Sequence, residues 1–198
     1  CHTALAEAEI EYADDPCYSV YVKFEVTDDK GKLFSMGAVP GKTYVVIWTT
    51  TTWTLPANVA ICLGPNFDYA LLKANREGET EYYVVAKELA ANVMQEAGIE
   101  EYEIIGTVKG SELEYVECAH PFLDRKSILI LGDHVTLDSG TGCVHTAPGH
   151  GMDDFMVVTQ HYPEIPFTVP VDSEGRMTEE AGFSAGLTTD EARKVIAK

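Results

Sequence analysis

The sequence contains no long apolar run and no closely spaced pair of cysteines. Its apolar stretches, such as Tyr44 to Trp48 and Ile128 to Leu131, fall far short of the roughly 18 residues that a membrane helix requires. We therefore expect no membrane span. The five cysteines are widely spaced and form no C-x-x-C pair, which argues against a disulfide framework or a standard zinc site. This pattern favours a reducing, cytoplasmic location.

Basic residues are also scarce. The chain has 14 Lys and Arg against 32 Asp and Glu, which gives a formal net charge of −18. Proteins that bind a nucleic-acid duplex neutralise its phosphates with clustered Lys and Arg. This sequence has no such cluster. If a nucleic acid is a partner, we expect contact only with a short single-stranded end.

The N-terminus has no initiating Met and lacks the charged and apolar regions of a signal peptide. We therefore expect the chain to be an excised domain. Its 198 residues, of which 45% are hydrophobic, are enough for one globular domain with its own core.

The dominant pattern in the sequence is a period-two alternation of β-branched and aromatic residues, as in Val20, Val22, Phe24 and Val26. This alternation is typical of β-strands. It predicts strands over residues 20–26, 43–49, 59–63, 67–73, 80–86, 101–108, 113–118, 127–131 and 142–146. Many short strands separated by turns predict a mainly β fold with peripheral helices (α+β), arranged as a distorted barrel.

Three peripheral helices are predicted. Residues 87–97 place apolar side chains on one stripe and stop at Gly98, a residue type that commonly follows a helix end. A second helix is expected from about Asp153 to Tyr162, and a third begins at Thr188 with a capping box. The weakly patterned residues 173–187 are interpreted as a linker.

The first segment whose side chains could take part in binding or catalysis runs from Trp48 to Asn58. It reads Trp-Thr-Thr-Thr-Thr-Trp-Thr-Leu-Pro-Ala-Asn. Its hydroxyl groups can donate and accept hydrogen bonds, and its methyl groups can wall a small pocket. Because threonine also favours strands, a threonine-rich sheet edge is the alternative interpretation.

The second segment runs from Gly140 to Asp154 and reads as a short strand, a glycine-rich loop and the first turn of a helix. Such loops often bind phosphate, but Asp153 and Asp154 would repel an anion, and no G-x-x-x-x-G-K-[ST] motif is present. Carboxylates at a helix N-terminus are stabilised in their ionised form, which suits a cation such as an ammonium group. The alternative is that both aspartates only cap the helix.

Metal and nucleophile chemistry are further alternatives. Cys118 and His120, and likewise Cys143 and His145, place two potential ligands on one strand face, although neither spacing matches a known zinc motif. A nucleophilic pair of Cys143 and His145 is disfavoured, because neighbours on one strand face lack an aligned path for proton transfer. No G-x-S-x-G motif occurs.

Together, the segments Trp48 to Asn58 and Gly140 to Asp154 closely resemble the editing domain of isoleucyl-tRNA synthetase, an insertion known as connective peptide 1. The resemblance implies one editing domain over residues 1–198. Residues 1–16 would lead in from the synthetase body, and residues 173–198, with the C-terminal helix, would return to it. The related valyl and leucyl enzymes typically carry Arg-Pro within the threonine segment, which this chain lacks. The HIGH and KMSKS motifs are absent, so we expect no amino-acid activation.

The resemblance implies post-transfer editing, which is the hydrolysis of mischarged valyl-tRNA(Ile), with valyl-adenylate as a second candidate substrate. A pocket built for isoleucine rejects valine by only ~1–3 kcal/mol, a limit for which isoleucyl-tRNA synthetase is itself the standard example. The implied partners are the aminoacylated 3′ end of tRNA(Ile) and the rest of the synthetase, with no membrane, cofactor or metal. A non-catalytic module that only docks the tRNA acceptor end, and a metal-dependent hydrolase, are the alternatives.

The resemblance also implies the site residues. The implied substrate-binding residues are Thr49, Thr50, Thr51, Thr54, Asn58, His145 and Asp154. The implied catalytic residues are Asp154, His145, Thr50 and Thr51. Asp154 would bind the α-ammonium group of the substrate, and the threonines would hold the terminal adenosine and a water molecule. His145 would wall the side-chain pocket, with a general-base role left open beside that of a substrate ribose hydroxyl. Thr52 stands where the family usually has Pro.

Overall fold

The computed structural model describes residues 19–198, so the predicted leading segment, residues 1–16, lies outside the described residues. The strands are β1 (Val20–Asp28), β2 (Thr43–Thr49), β3 (Ala60–Leu63), β4 (Asp68–Arg76), β5 (Glu79–Ala86), β6 (Tyr102–Lys109), β7 (Glu117–Ala119), β8 (Lys126–Leu131) and β9 (Cys143–Thr146). The helices are α1 (Ala90–Glu96), α2 (Met152–His161) and α3 (Thr189–Ile196). Within residues 19–198, no helix is both long and apolar enough to span a bilayer.

These strands form one mixed sheet in the order β6-β4-β5-β2-β1-β7-β8-β3-β9. β1 pairs antiparallel with β2, whereas β2 runs parallel to β5. β3 lies between β8 and β9, so that Ala60 is opposite both Ile128 and Thr146. The predicted mainly β fold with peripheral helices is confirmed.

The sheet curls until its last strand, β9, returns to β5. The amide of Ala86 donates to the carbonyl of Thr141 at 2.8 Å, and the buried Tyr69 hydroxyl donates to the carbonyl of Gly142 at 2.6 Å. Gly142 has a φ of 73° and lies so close to Ala86 that a side chain would not fit. The curled sheet encloses a core that includes Phe24, Val45, Ile47, Leu71, Val84 and Leu129.

Helix α2 packs on the outside of this sheet, beside β9. Val157 and Val158 bury their side chains against Cys62 and Ile130. This packing fixes the N-terminal turn of α2 at the end of β9, where the Ala147 amide donates to the Asp154 carboxylate at 2.9 Å. The fold therefore places the acidic helix start directly after the strand that carries His145.

Most predicted boundaries agree with the structure, including Gly98 after α1, with a φ of 67°, and the capping box at Thr188. Strand β7 differs, because it covers Glu117–Ala119 instead of residues 113–118. Leu113 and Val116 close a turn through a 3.1 Å backbone hydrogen bond, and Tyr115 has a φ of 64° that no strand residue adopts.

Residues 173–187 are not the linker that their weak pattern predicted. Met177 and Ala181 are buried and pack with Ala192 of α3. Trp53 of the threonine-rich segment contacts the same cluster. Within residues 173–187 only a few apolar side chains, Met177, Ala181 and Leu187, reach this cluster, which explains why the stretch shows little hydrophobic periodicity.

Thr52 joins the threonine-rich segment to α3. Its side chain is fully buried, and its hydroxyl donates to the carbonyl of Arg193 at 2.8 Å. Thr52→Val keeps the shape but removes this donor, so we expect the free energy of unfolding to fall by about 1–2 kcal/mol. Urea unfolding measures the change, and Thr52→Ser, which keeps the hydroxyl, is the matched control. An unchanged midpoint for the valine variant would show that the bond contributes no stability.

Candidate active site

The two segments singled out in the sequence meet in the structure. Residues Thr52–Ala57 form a 3₁₀ turn after β2, and the chain then enters β3 beside β9. The Val59 amide donates to the Thr146 carbonyl at 3.1 Å, and the rings of Trp53 and His150 pack edge to face with centroids 5.1 Å apart. Side chains of the threonine-rich segment therefore face those of the glycine-rich segment.

His145 is held by the polar side chains of the first segment. Its Nε2 lies 3.0 Å from Thr54 Oγ1, and its Nδ1 lies 2.8 Å from Asn58 Nδ2. Asn58 Nδ2 also donates to the Ala60 carbonyl at 2.9 Å, and its Oδ1 accepts from the Ser127 hydroxyl. Because an amide nitrogen only donates, this network assigns the acceptor role to Nδ1 of His145 and the proton to Nε2.

Both ring nitrogens of His145 are therefore engaged. Burial lowers the pKa of His145 to about 3, with smaller contributions from His120 and His150, so the ring is neutral at physiological pH. The Thr54 hydroxyl in turn donates to the Thr51 carbonyl at 2.8 Å, which fixes its direction. In this arrangement the imidazole has no free lone pair with which to activate water, and it forms a rigid wall.

Asp154 lies partly buried in the first turn of α2, whereas its neighbour Asp153 is exposed. Burial raises the pKa of Asp154, while the Ala147 amide and the charge of His134 act in the opposite direction. Among residues 19–198, no Lys or Arg forms a salt bridge with this carboxylate. A desolvated carboxylate that lacks a cation is suited to receive one.

The first three of the four consecutive threonines lie at the end of β2, and their exposure to solvent increases along the chain. Thr49 is buried and accepts a hydrogen bond from the Thr51 amide at 3.0 Å, Thr50 is partly buried, and Thr51 is exposed. In the described part of the chain, no side-chain hydrogen bond joins these threonines to Asp154. The structure thus brings Thr54, Asn58 and His145 into contact, and leaves the roles of Thr49, Thr50, Thr51 and Asp154 as predictions.

A cavity of about 260 Å³ lies between the beginnings of the two segments. Its lining residues are Trp48, His134, Thr136, Ser139, Gly140, Thr141, Gly142, Cys143 and Val144. Trp48 lies directly against Gly140, where an added Cβ would sit 3.2 Å from the indole ring. Of these residues, His134 also lowers the pKa of the Asp154 carboxyl group. None of the predicted substrate-binding residues lines this cavity.

Sequence reasoning did not single out His134, Thr136 or Ser139. These residues lie in the loop between β8 and β9, where the sequence has no hydrophobic periodicity and no motif. Only the fold brings this loop against Trp48, so no sequence signal could have identified it as a cavity wall.

The four residues of the metal alternative, Cys118, His120, Cys143 and His145, do not form a site. Both thiols are buried in the core, and burial raises their pKa values. His120 bonds through Nε2 to the Leu55 carbonyl at 2.9 Å and through Nδ1 to the Leu123 amide at 3.1 Å. Over residues 19–198, no three His, Cys, Asp or Glu side chains are grouped so as to hold a metal ion.

Comparison with known proteins gives concordant results for sequence and fold. The chain is 55% identical over 198 residues to the isoleucine–tRNA ligase of Caldicellulosiruptor saccharolyticus, and 51% identical over 196 residues to that of Thermoanaerobacter sp. (strain X514). These alignments cover 100% and 99% of the chain. They cover only 21% and 20% of the two ligases, so the chain spans about one fifth of the length of these curated relatives. No family model matches the chain.

Solved structures share the fold at low sequence identity. The structure of GlLeuRS-CP1 matches with a TM-score of 0.71 and 15% identity, over 90% of this chain and 94% of that one. The P. knowlesi cytosolic leucyl-tRNA synthetase editing domain matches with a TM-score of 0.70 and 11% identity, over 93% and 94%. Over its full length the chain therefore matches one segment of isoleucine–tRNA ligases, and it has the fold of a synthetase editing domain.

Proposed function

We propose that the chain hydrolyses the ester bond of mischarged valyl-tRNA(Ile) as the proofreading part of an isoleucyl-tRNA synthetase. One observation carries the proposal. Thr54 and Asn58 of the first motif segment contact His145 of the second, and the partly buried Asp154 carboxylate, which forms no salt bridge among residues 19–198, lies at the start of the helix that follows. An aminoacyl ester is already activated, so positioning a water molecule and stabilising the developing charge are sufficient for hydrolysis.

Asp154 is proposed to bind the α-ammonium group of the valyl ester. The carboxylate already accepts one backbone hydrogen bond, from Ala147, which sets its direction. Burial makes its ionised form costly, and an ammonium group would supply the missing positive charge. The resulting charge-assisted hydrogen bond would anchor the substrate at the start of α2.

The hydroxyl groups of Thr50 and Thr51 are proposed to hold the terminal ribose and the attacking water. Both lie where the buried strand gives way to solvent, as such contacts require. No covalent nucleophile is involved, because the Cys143 thiol is buried and its pKa is raised. His145, with both nitrogens engaged, limits the size of the substrate side chain, and a ribose hydroxyl orients the water.

The charge of the chain restricts how it meets tRNA. With a net charge of −18, the chain would gain little from phosphate contacts, so the proposal requires that only the aminoacylated 3′ end enters the site. The parent synthetase would deliver this end in the cytoplasm, where tRNA is charged. Valyl-adenylate carries the same amine and isopropyl group and is a second candidate substrate.

Single-turnover hydrolysis of valyl-tRNA(Ile) and isoleucyl-tRNA(Ile) tests this function. We expect the valyl ester to be cleaved at least about tenfold faster, because a second site that excludes the larger side chain adds to the discrimination of one methylene. The rate should be unchanged after exhaustive chelation with EDTA. Loss of activity on chelation would favour the metal-dependent alternative, and binding of both esters without turnover would favour the docking module.

A further inference from the structure

Asn58 is one of the residues that the resemblance assigns to substrate binding, yet its side chain is fully buried and already engaged. Its Oδ1 accepts from the Ser127 hydroxyl. Its Nδ2 donates to the Ala60 carbonyl at 2.9 Å and lies 2.8 Å from Nδ1 of His145. An amide nitrogen carries two hydrogens, and these two contacts use both of them. A ligand could bind the Asn58 amide nitrogen only by displacing one of these partners.

The same contacts make the Asn58 amide a fixed link to His145. A carbonyl only accepts hydrogen bonds, so the Ala60 carbonyl requires the amide nitrogen on its side. A reversed amide would place Asn58 Oδ1 against the Ala60 carbonyl oxygen with no hydrogen between them. The Ser127 hydroxyl holds the amide oxygen in the observed orientation. The orientation of Asn58 thus decides which nitrogen of His145 accepts.

Beyond His145, the hydrogen bonds continue into the threonine-rich segment. Nε2 of His145 donates to Thr54 Oγ1 at 3.0 Å, and the Thr54 hydroxyl donates to the Thr51 carbonyl at 2.8 Å. The donor of every bond from Ser127 to the Thr51 carbonyl is therefore fixed. The direction of the His145 ring and the turn that follows Thr51 both depend on the Asn58 amide.

We propose that Asn58 is a positioning residue that holds His145 in one tautomer and one orientation, and that it does not touch the substrate. Its effect on substrate discrimination rests on the proposed function, in which the His145 ring limits the side chain of the ester. An isoleucyl ester is larger than a valyl ester by only one methylene. A ring that is free to shift would admit this methylene, so loss of the Asn58 amide should weaken discrimination without removing a contact to the ligand.

Nuclear magnetic resonance of the ¹⁵N-labelled wild type tests the positioning without a substrate. We expect the proton of His145 on Nε2 alone, and a scalar coupling across the hydrogen bond between Asn58 Nδ2 and His145 Nδ1. The coupling should persist when a non-hydrolysable ligand, valyl-3′-amino-3′-deoxyadenosine, saturates the protein in isothermal titration. A proton on Nδ1, or loss of the coupling in the saturated protein, would overturn the assignment.

Single-turnover hydrolysis tests the effect on discrimination. Asn58→Ala should lower the ratio of valyl to isoleucyl cleavage rates at least about fivefold, and should leave the Kd of the non-hydrolysable ligand within about threefold of the wild type. A residue that binds the substrate would behave in the opposite way, with Kd raised about tenfold by loss of one hydrogen bond and an unchanged ratio. Asn92→Ala is the matched control, because Asn92 is exposed on α1.

Ser127→Ala gives a second variant in case Asn58→Ala does not fold. Ser127 is fully buried in β8, and its hydroxyl donates to Asn58. Its removal should lower the same ratio about threefold with an unchanged Kd, because the Asn58 amide loses one of its anchors. Wild-type discrimination in every variant that folds would overturn the proposal. If the wild type shows the expected tautomer and coupling but cleaves no ester, the proposed function fails and the positioning of His145 by Asn58 stands.

Discussion

Asp154→Asn should lower kcat/KM for valyl-tRNA(Ile) at least 100-fold, equivalent to about 2.7 kcal/mol of transition-state stabilisation. The substitution removes the negative charge that would bind the ammonium group. It keeps a side-chain oxygen that can accept the hydrogen bond from Ala147, so the start of α2 should remain in place. Single-turnover hydrolysis gives the rate, and circular dichroism checks the fold.

Asp153→Asn is the matched control, because Asp153 is exposed in the same helical turn and carries the same charge. It should change the rate less than about threefold, as expected for a screened surface charge. An isovaleryl ester, which lacks the amine, should be cleaved equally slowly by the wild type and by Asp154→Asn. Equal rates for the two asparagine variants on valyl-tRNA(Ile) would show that Asp154 does not bind the ammonium group.

The second large effect concerns acid stability. His120 and His145 should together lower the free energy of unfolding by about 4 kcal/mol between pH 7 and pH 5. Burial lowers the pKa of His120 to about 4 and that of His145 to about 3. Below the ordinary histidine value of 6.5, the unfolded chain binds protons that the folded chain excludes. Each histidine then costs about 1.4 kcal/mol for each pH unit below 6.5, which is about 2 kcal/mol at pH 5.

The sign of this effect is fixed by the direction of the two shifts. Because both folded-state pKa values are depressed, the stability is fully present above about pH 6.5 and is lost as the pH falls towards 4 and 3. Urea unfolding at pH 7 and pH 5 measures the loss. His120→Gln should reduce the difference by about half, and His161→Gln, at an exposed position, should leave it unchanged. An unaltered difference in His120→Gln would contradict the assignment.

The sequence predicted the strands well because successive side chains of a strand point to opposite faces of the sheet, as where Val45 and Ile47 pack in one cluster and Val46 in another. The sequence was a poorer guide to segments whose structure depends on the backbone conformation of one residue or on contacts between residues far apart in the chain. The left-handed backbone at Tyr115 shortens β7, and residues 173–187 pack through a few irregularly spaced apolar side chains, among them Met177 and Leu187. Neither feature follows from local hydrophobicity.

The candidate site also combines residues that the sequence identified with features that only the folded structure reveals. The resemblance marked Thr54, Asn58 and His145, and in the structure both Thr54 and Asn58 contact His145. It could not show that both nitrogens of His145 are engaged, because that depends on the orientation of the Asn58 amide. His134 reaches the cavity only through the curl of the sheet. The roles of Thr49, Thr50, Thr51 and Asp154 towards substrate stay predictions.

A crystal structure of the chain with bound valyl-3′-amino-3′-deoxyadenosine would test the site most directly. We expect the ammonium nitrogen within about 3 Å of the Asp154 carboxylate. The ribose should lie beside the hydroxyl groups of Thr50 and Thr51. A ligand that binds in a cavity of about 600 Å³ beside α2, or whose ammonium group lies away from Asp154, would contradict the proposed site.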